Sequence, residues 1–181
     1  QELVTRVGDY LDFLLNLDST RVIACVLETL RDPDAFIEAA DRANRMDVPI
    51  VVLRLGRSDL GKQFAVSHSG AISGSDAVYE AVFRKYNIVQ VRSPDELLDT
   101  IELFGAKRRP TAAGLALGTD SGGERQLIAD IATDIGLSFA GLSETTVKEV
   151  QNLLSTGMEA ANPLDYWGDG EDVMAPCLSA L

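Results

Sequence analysis

Histidine, cysteine and tryptophan are scarce in this sequence: one His, two Cys and one Trp among 181 residues. A lone histidine and two distant cysteines, Cys25 and Cys177, do not make a zinc site, so no metal site is expected. Nor do they make a disulfide framework, and a reducing compartment, the cytoplasm, is the expected location. No apolar run approaches the roughly 18 residues of a membrane span, and no secretory signal opens the chain. Positive charge is also short, with 16 Lys and Arg against 28 Asp and Glu and a net charge of −12. Such a surface repels nucleic acid and anionic lipid. The one small basic cluster, Lys107-Arg108-Arg109 before Pro110, has the character of a solvated linker. No Gly-x-Ser-x-Gly elbow supports a hydrolase, and no repeat of solenoid length occurs.

What is present is a globular composition, 46% hydrophobic and 24% charged, in a length that suits one large or two small domains. Helical spacing of Val7, Leu11, Leu14 and Leu15 predicts a helix over about 4–17. Apolar runs at 22–27, 49–55 and 87–91 predict buried strands. Asp32-Pro33 and Ser93-Pro94-Asp95-Glu96 carry N-cap and first-turn signals for helices that follow two of those strands. Strands that are apolar throughout and alternate with helices imply a parallel sheet covered on both faces. Residues 1–106 are therefore expected to form a small doubly wound α/β domain, with 107–110 as linker. The pattern then restarts: a strand at 111–117, a turn at 118–123, a helix at 124–135, and a second helix capped by Ser143. Asn162-Pro163-Leu164-Asp165 is a turn signal, and a last helix begins near Glu171. This is too little for a complete sheet domain. With Gln1 in place of Met and no stop signal before Leu181, a piece of a longer chain is expected.

The candidate chemistry centres on His68, within a Gly/Ser-rich stretch, 56–74, that contains no clear element and is expected to be a loop. Loops beyond about 12–15 residues are usually functional or disordered. A neutral imidazole is a nucleophile that titrates near working pH. Ser69, Gly70 and Ala71 are expected to offer backbone N–H groups at a helix N-terminus, where phosphate binds. The bland alternative is a surface histidine with no task. Glu28 ends the first strand, at the edge where open α/β sheets bind ligands, and is placed to hold one ring nitrogen of His68. Its bland alternative is a solvated acid or a helix cap. Ser121, Gly122 and Gly123 follow a strand and open a helix, the setting of a phosphate-cradling turn. Ser121 with Glu124 is equally a capping box, and both readings stand. Asn162 and Asp165 form a candidate ligand loop, or simply a turn.

Together these segments resemble a family. Gly56-Arg57-Ser58, Ser67-His68-Ser69-Gly70-Ala71 and Gly74-Ser75-Asp76 resemble the phosphohistidine segment of ADP-forming acetyl-CoA synthetases, relatives of succinyl-CoA synthetase. Gly8-Asp9-Tyr10-Leu11, Leu27-Glu28, Leu30-Arg31-Asp32-Pro33, Ser121-Gly122-Gly123 and Asn162-Pro163-Leu164-Asp165 agree in order and spacing. The resemblance implies two flavodoxin-like domains, the second (111–181) partial. It implies that acyl-CoA, phosphate and a nucleoside diphosphate are interconverted with acid, CoA and a nucleoside triphosphate. His68 would carry the phosphoryl group, Glu28 would hold it, and helix starts at Ser69-Gly70 and Ser121-Gly122-Gly123 would cradle it. A CoA-binding Rossmann-like domain and an ATP-grasp domain would complete the enzyme, on the same chain or a partner subunit. CoA, ATP or ADP, Mg²⁺ and a small carboxylic acid are then expected for the whole enzyme, with no cofactor held tightly by this portion. Departures from the common pattern are Ser69 for threonine, Arg54 for lysine, Asp120 for a neutral residue and Glu124 for a small one. The alternative function is a non-catalytic CoA-sensing or regulatory module of the same fold, attached to a protein acyltransferase. An FMN-binding flavodoxin is disfavoured by the lack of an aromatic-flanked phosphate loop after the first strand.

Overall fold

A computed structural model describes residues 4–69, 75–107, 114–167 and 171–181. The chain divides into two compact units, 1–109 and 110–181.

In the first unit, helix α1 (Val7–Leu15) precedes strand β1 (Ile23–Leu27), α2 (Pro33–Arg45), β2 (Ile50–Arg54), α3 (Asp59–Ser69), α4 (Asp76–Lys85), β3 (Val89–Val91) and α5 (Pro94–Gly105). The strands form a parallel sheet in the order β1-β2-β3. Ile23 pairs with Ile50 and Leu27 with Arg54, while Val51 pairs with Val89 and Leu53 with Val91. Side chains alternate across a strand. Ile23, Leu27, Ile50 and Val52 accordingly face one core with Leu11, Leu15, Phe36 and Phe83 from α1, α2 and α4. Val51, Leu53 and Val91 face the other core, against Leu97 and Phe104 of α5. Coverage of that second face is uneven: Ala24 is exposed and Val26 is 58% exposed.

The helix starts form where capping chemistry puts them. Asp32 accepts from the Ala35 N–H at 3.1 Å, and Ser93 accepts from the Glu96 N–H at 3.1 Å, each with Pro as the first helical residue. Each cap fills a donor that the helix itself cannot.

The expected loop over 56–74 is corrected, because most of it is α3. Ser58 explains the helix: its Oγ accepts from Gly61 N–H at 3.1 Å and its carbonyl from Lys62 N–H at 2.8 Å. Of the described glycines in the stretch, Gly56 and Gly61, the second lies inside the helix and is needed there. A Cβ on Gly61 would sit 3.2 Å from the Gly56 Cα. Gly56 in turn has φ +67°, a left-handed bend that a side chain disfavours.

In the second unit, β4 (Gly118–Thr119), α6 (Gly122–Asp134), α7 (Glu144–Leu153), β5 (Leu164–Asp165) and α8 (Glu171–Ala180) follow. β4 and β5 pair in parallel. Two expectations are corrected here. Of the strand expected at 111–117, residues 111–113 lie outside the described residues, and the ladder among the described ones is at 118–119, where a turn was expected. Leu164-Asp165, expected within a turn, is its partner strand. Between Leu115 and Thr119 the backbone is shared: Leu115 bridges to Phe139, and the Leu164 and Tyr166 N–H groups donate to Leu117 and Thr119 carbonyls. Val150, Leu154, Leu164, Tyr166 and Cys177 form the core.

Candidate functional site

All three strands of the first unit are parallel, so their carboxyl ends share one edge. Glu28 directly follows β1 at that edge and is half-buried. The Leu55 N–H donates to the Leu27 carbonyl at 2.8 Å, which holds the two strand ends together. The chain bends at Gly56 and enters α3, whose last turn contains His68.

Beside this bend lies a charged cluster. Arg54 ends β2 with its side chain at 0% exposure. Positions 50, 52 and 54 share a face of the strand, so Arg54 emerges beneath α4. A buried guanidinium needs a partner, and Arg54 Nη1 donates to Asp76 Oδ1 at 2.8 Å. Its guanidinium carbon also lies 3.6 Å from the Tyr79 ring centroid, a cation–π contact. Arg57 forks onto the same carboxylate: Nε reaches Oδ2 at 3.2 Å and Nη2 reaches it at 3.0 Å. Arg57 Nη2 also lies 3.4 Å from Glu80. The hydrogen bond from Arg57, backed by the charges of Arg57, Arg54 and Lys62, holds the Asp76 carboxyl below the usual carboxylate range. The Tyr79 hydroxyl accepts from the Leu30 N–H at 3.1 Å, joining α4 to the segment after β1.

Glu28 and His68 thus belong to one unit, on segments that follow neighbouring strands. The His68 side chain, and Gly70 and Ala71 altogether, lie outside the described residues. Ser69 is the last residue of α3. A helix ends in free carbonyls, not free N–H groups, so the helix start expected at Ser69 is not formed there. Among the described residues the next start is that of α4, at Ser75-Asp76. Arg54, Arg57 and Asp76 entered the sequence reading only through the resemblance and Tyr79 not at all, and none was named as a site residue. The legible signal was a cation ending the otherwise apolar run Ile50–Leu53, which demands an anion nearby.

In the second unit, Ser121 Oγ accepts from the Glu124 N–H at 3.3 Å. Glu124 does not reach back to Ser121, as a capping box would. Its Oε2 accepts from the Thr119 hydroxyl at 2.7 Å, and Thr119 Oγ1 accepts from the Ser121 N–H at 3.2 Å. The half-capped start of α6 therefore begins with Gly122 and Gly123 and is lined by acids. A Cβ on Gly122 would lie 3.1 Å from Asp165 Oδ2. The other oxygen of Asp165 accepts from the Trp167 N–H at 2.9 Å. Asn162 has its amide engaged by backbone. Oδ1 accepts from Leu117 N–H at 3.1 Å, and Nδ2 donates to the Leu115 and Ala140 carbonyls at 2.8 Å each. Among the described residues no group of three or more His, Cys, Asp or Glu could hold a metal ion. Among them too, no helix is long and apolar enough to cross a membrane.

A parallel α/β sheet with charged groups gathered at its carboxyl edge is the flavodoxin-like class. Residues 1–104 match the family described as succinyl-CoA ligase like flavodoxin domain, and the chain belongs to that family. It is 30% identical to the ADP-forming acetate–CoA ligase of Methanocaldococcus jannaschii, over 90% of this chain and 23% of that protein. It is 31% identical to the alpha subunit of an ADP-forming acetate–CoA ligase II of Pyrococcus furiosus, over 91% of this chain and 36% of the subunit. In structure it is similar to the acetyl-coenzyme A synthetase 1 of Ca. Korarchaeum cryptofilum in complex with phosphate and ADP. The TM-score is 0.79 at 29% identity, covering 91% of this chain and 36% of that one. The chain thus spans about a quarter to a third of the relatives it matches, which are acid–thiol ligases.

Proposed function

We propose that this chain is the phosphoryl-relay portion of an NDP-forming acyl-CoA synthetase, with His68 as carrier. In the reaction, phosphate attacks the thioester carbonyl of acyl-CoA, giving an acyl phosphate and CoA. A ring nitrogen of His68 then attacks phosphorus, and the bond to the acyl carboxylate breaks, releasing the acid. The phosphohistidine next yields its phosphoryl group to ADP. Glu28 would stabilise the positive ring of the intermediate, and the glycine start of α6 would offer N–H groups to a phosphate.

The observation that supports this most is the rooting of the His68 segment. Arg57, before α3, and Asp76, after it, are bonded, so the intervening chain leaves and returns at one place on the carboxyl edge, beside the strand that Glu28 follows. This is the edge where open α/β sheets bind ligands. CoA and nucleotide pockets would be supplied by a Rossmann-like and an ATP-grasp domain, on the same chain or a partner subunit, and Mg²⁺ accompanying the nucleotide would be held there.

The test is incubation of the full-length protein, and of its His68→Ala variant, with labelled ATP and Mg²⁺. Acid-labile, base-stable label on the parent and none on the variant is expected. A well-folded parent that binds CoA but takes no label would overturn the proposal.

A further inference from the structure

We infer that Arg57 and Asp76 are positioning residues for the phosphoryl carrier: their ion pair clamps the two ends of the His68 segment to the end of β2. This rests on the relay reading above. The residues lie 19 positions apart in sequence, on either side of α3, and their contact closes that span into a loop with a fixed base. The base is itself anchored, because Asp76 is shared with the wholly buried Arg54, which is stacked on Tyr79. Tyr79 reaches the Leu30 N–H after β1. One continuous chain of contacts thus links the β1 end, the β2 end, the turn that enters α3 and the start of α4.

The fork geometry makes the clamp directional. Two guanidinium nitrogens of Arg57 engage Asp76, and a planar fork fixes orientation as well as distance. Arg57 is 30% exposed and Asp76 28%, so the pair is only partly open to solvent. Its contribution to global stability is accordingly modest. Its stronger effect is on the placement of α3. A misplacement of about 1 Å can cost roughly a hundredfold in rate when two groups must meet.

Arg57→Gln in the full-length protein tests this while leaving Arg54–Asp76 intact. Three quantities are read: single-turnover phosphorylation of His68 from labelled ATP, nucleotide KM, and hydrogen exchange of peptides from α3 and from the strands. The expected result is phosphorylation slowed about tenfold or more, KM changed less than about twofold, and faster exchange confined to α3. Arg57→Lys, which keeps charge but not the fork, should recover part of the rate. Unchanged exchange in α3, a uniform rise across the unit, or local loosening with no change in phosphorylation would each overturn the inference. If the parent is not labelled at all, the relay reading fails. The positioning assignment falls with it, while exchange in α3 still decides whether the clamp holds.

Discussion

Arg54 and Asp76 meet at 2.8 Å with the guanidinium at 0% exposure, so a cation sits beneath the sheet edge with its anion one helix start away. Protonating that anion leaves a buried charge facing a neutral acid. Because its folded pKa is depressed, Asp76 contributes stability above the usual carboxylate pKa of about 3.9, and this is lost as pH falls through the lower folded value. Asp76→Asn should therefore melt lower than the parent at pH 7 and show a flatter decline toward acid. Melting followed by circular dichroism from neutral pH to about pH 3 checks this. Parallel profiles for the two proteins would remove the pair from the account of acid stability.

Asn162 offers a test in the second unit. In Asn162→Asp the donor to the Leu115 and Ala140 carbonyls becomes a carboxylate oxygen facing two carbonyl oxygens. A loss of about 3 kcal/mol at neutral pH is expected. The introduced carboxyl can donate when protonated, so its folded pKa should lie above the unfolded one. The deficit should be smallest below about pH 4 and grow as pH rises. Urea denaturation at pH 4 and pH 7 measures it, and a deficit independent of pH would contradict the role given to the Asn162 amide.

Gly8 lies where α1 meets α2. A Cβ there would stand 2.7 Å from the Ala35 carbonyl carbon and 2.8 Å from its oxygen. Helix propensity favours alanine over glycine by roughly 1 kcal/mol, but overpacking against backbone costs about 1–3 kcal/mol. Gly8→Ala should therefore be destabilising overall in a denaturant titration. A stabilised variant would show that the helices separate easily.

Much of the first unit was legible because its signals are local. Asp32 and Ser93 cap helices at the positions their side chains announce, and each apolar run became a strand. The α3 helix was hidden by the glycine and serine around it, although Ser58 carried the same kind of cap signal. Elsewhere the deciding partner was remote. Gly118-Thr119 is a strand only because Leu164-Asp165 lies beside it. At Ser121-Gly122-Gly123-Glu124 the capping box forms only in half, since Thr119 interposes its hydroxyl between Ser121 and Glu124. The Arg54–Arg57–Asp76 cluster joins the end of β2, the connection before α3 and the start of α4, and no periodicity reveals such a meeting. Glu28 directly follows β1, as the end of its apolar run announces, whereas His68 lies in the last turn of α3 and not at a strand end.

The uneven cover of β1 bears on how the protein behaves in a tube. β1 stands at the end of the strand order with Val26 58% exposed, and an uncovered edge strand is a template for pairing with another chain. Preparations of the first unit alone, whose residues 1–109 carry 17 acidic and 14 basic side chains and so little net charge to hold copies apart, should therefore self-associate as concentration rises.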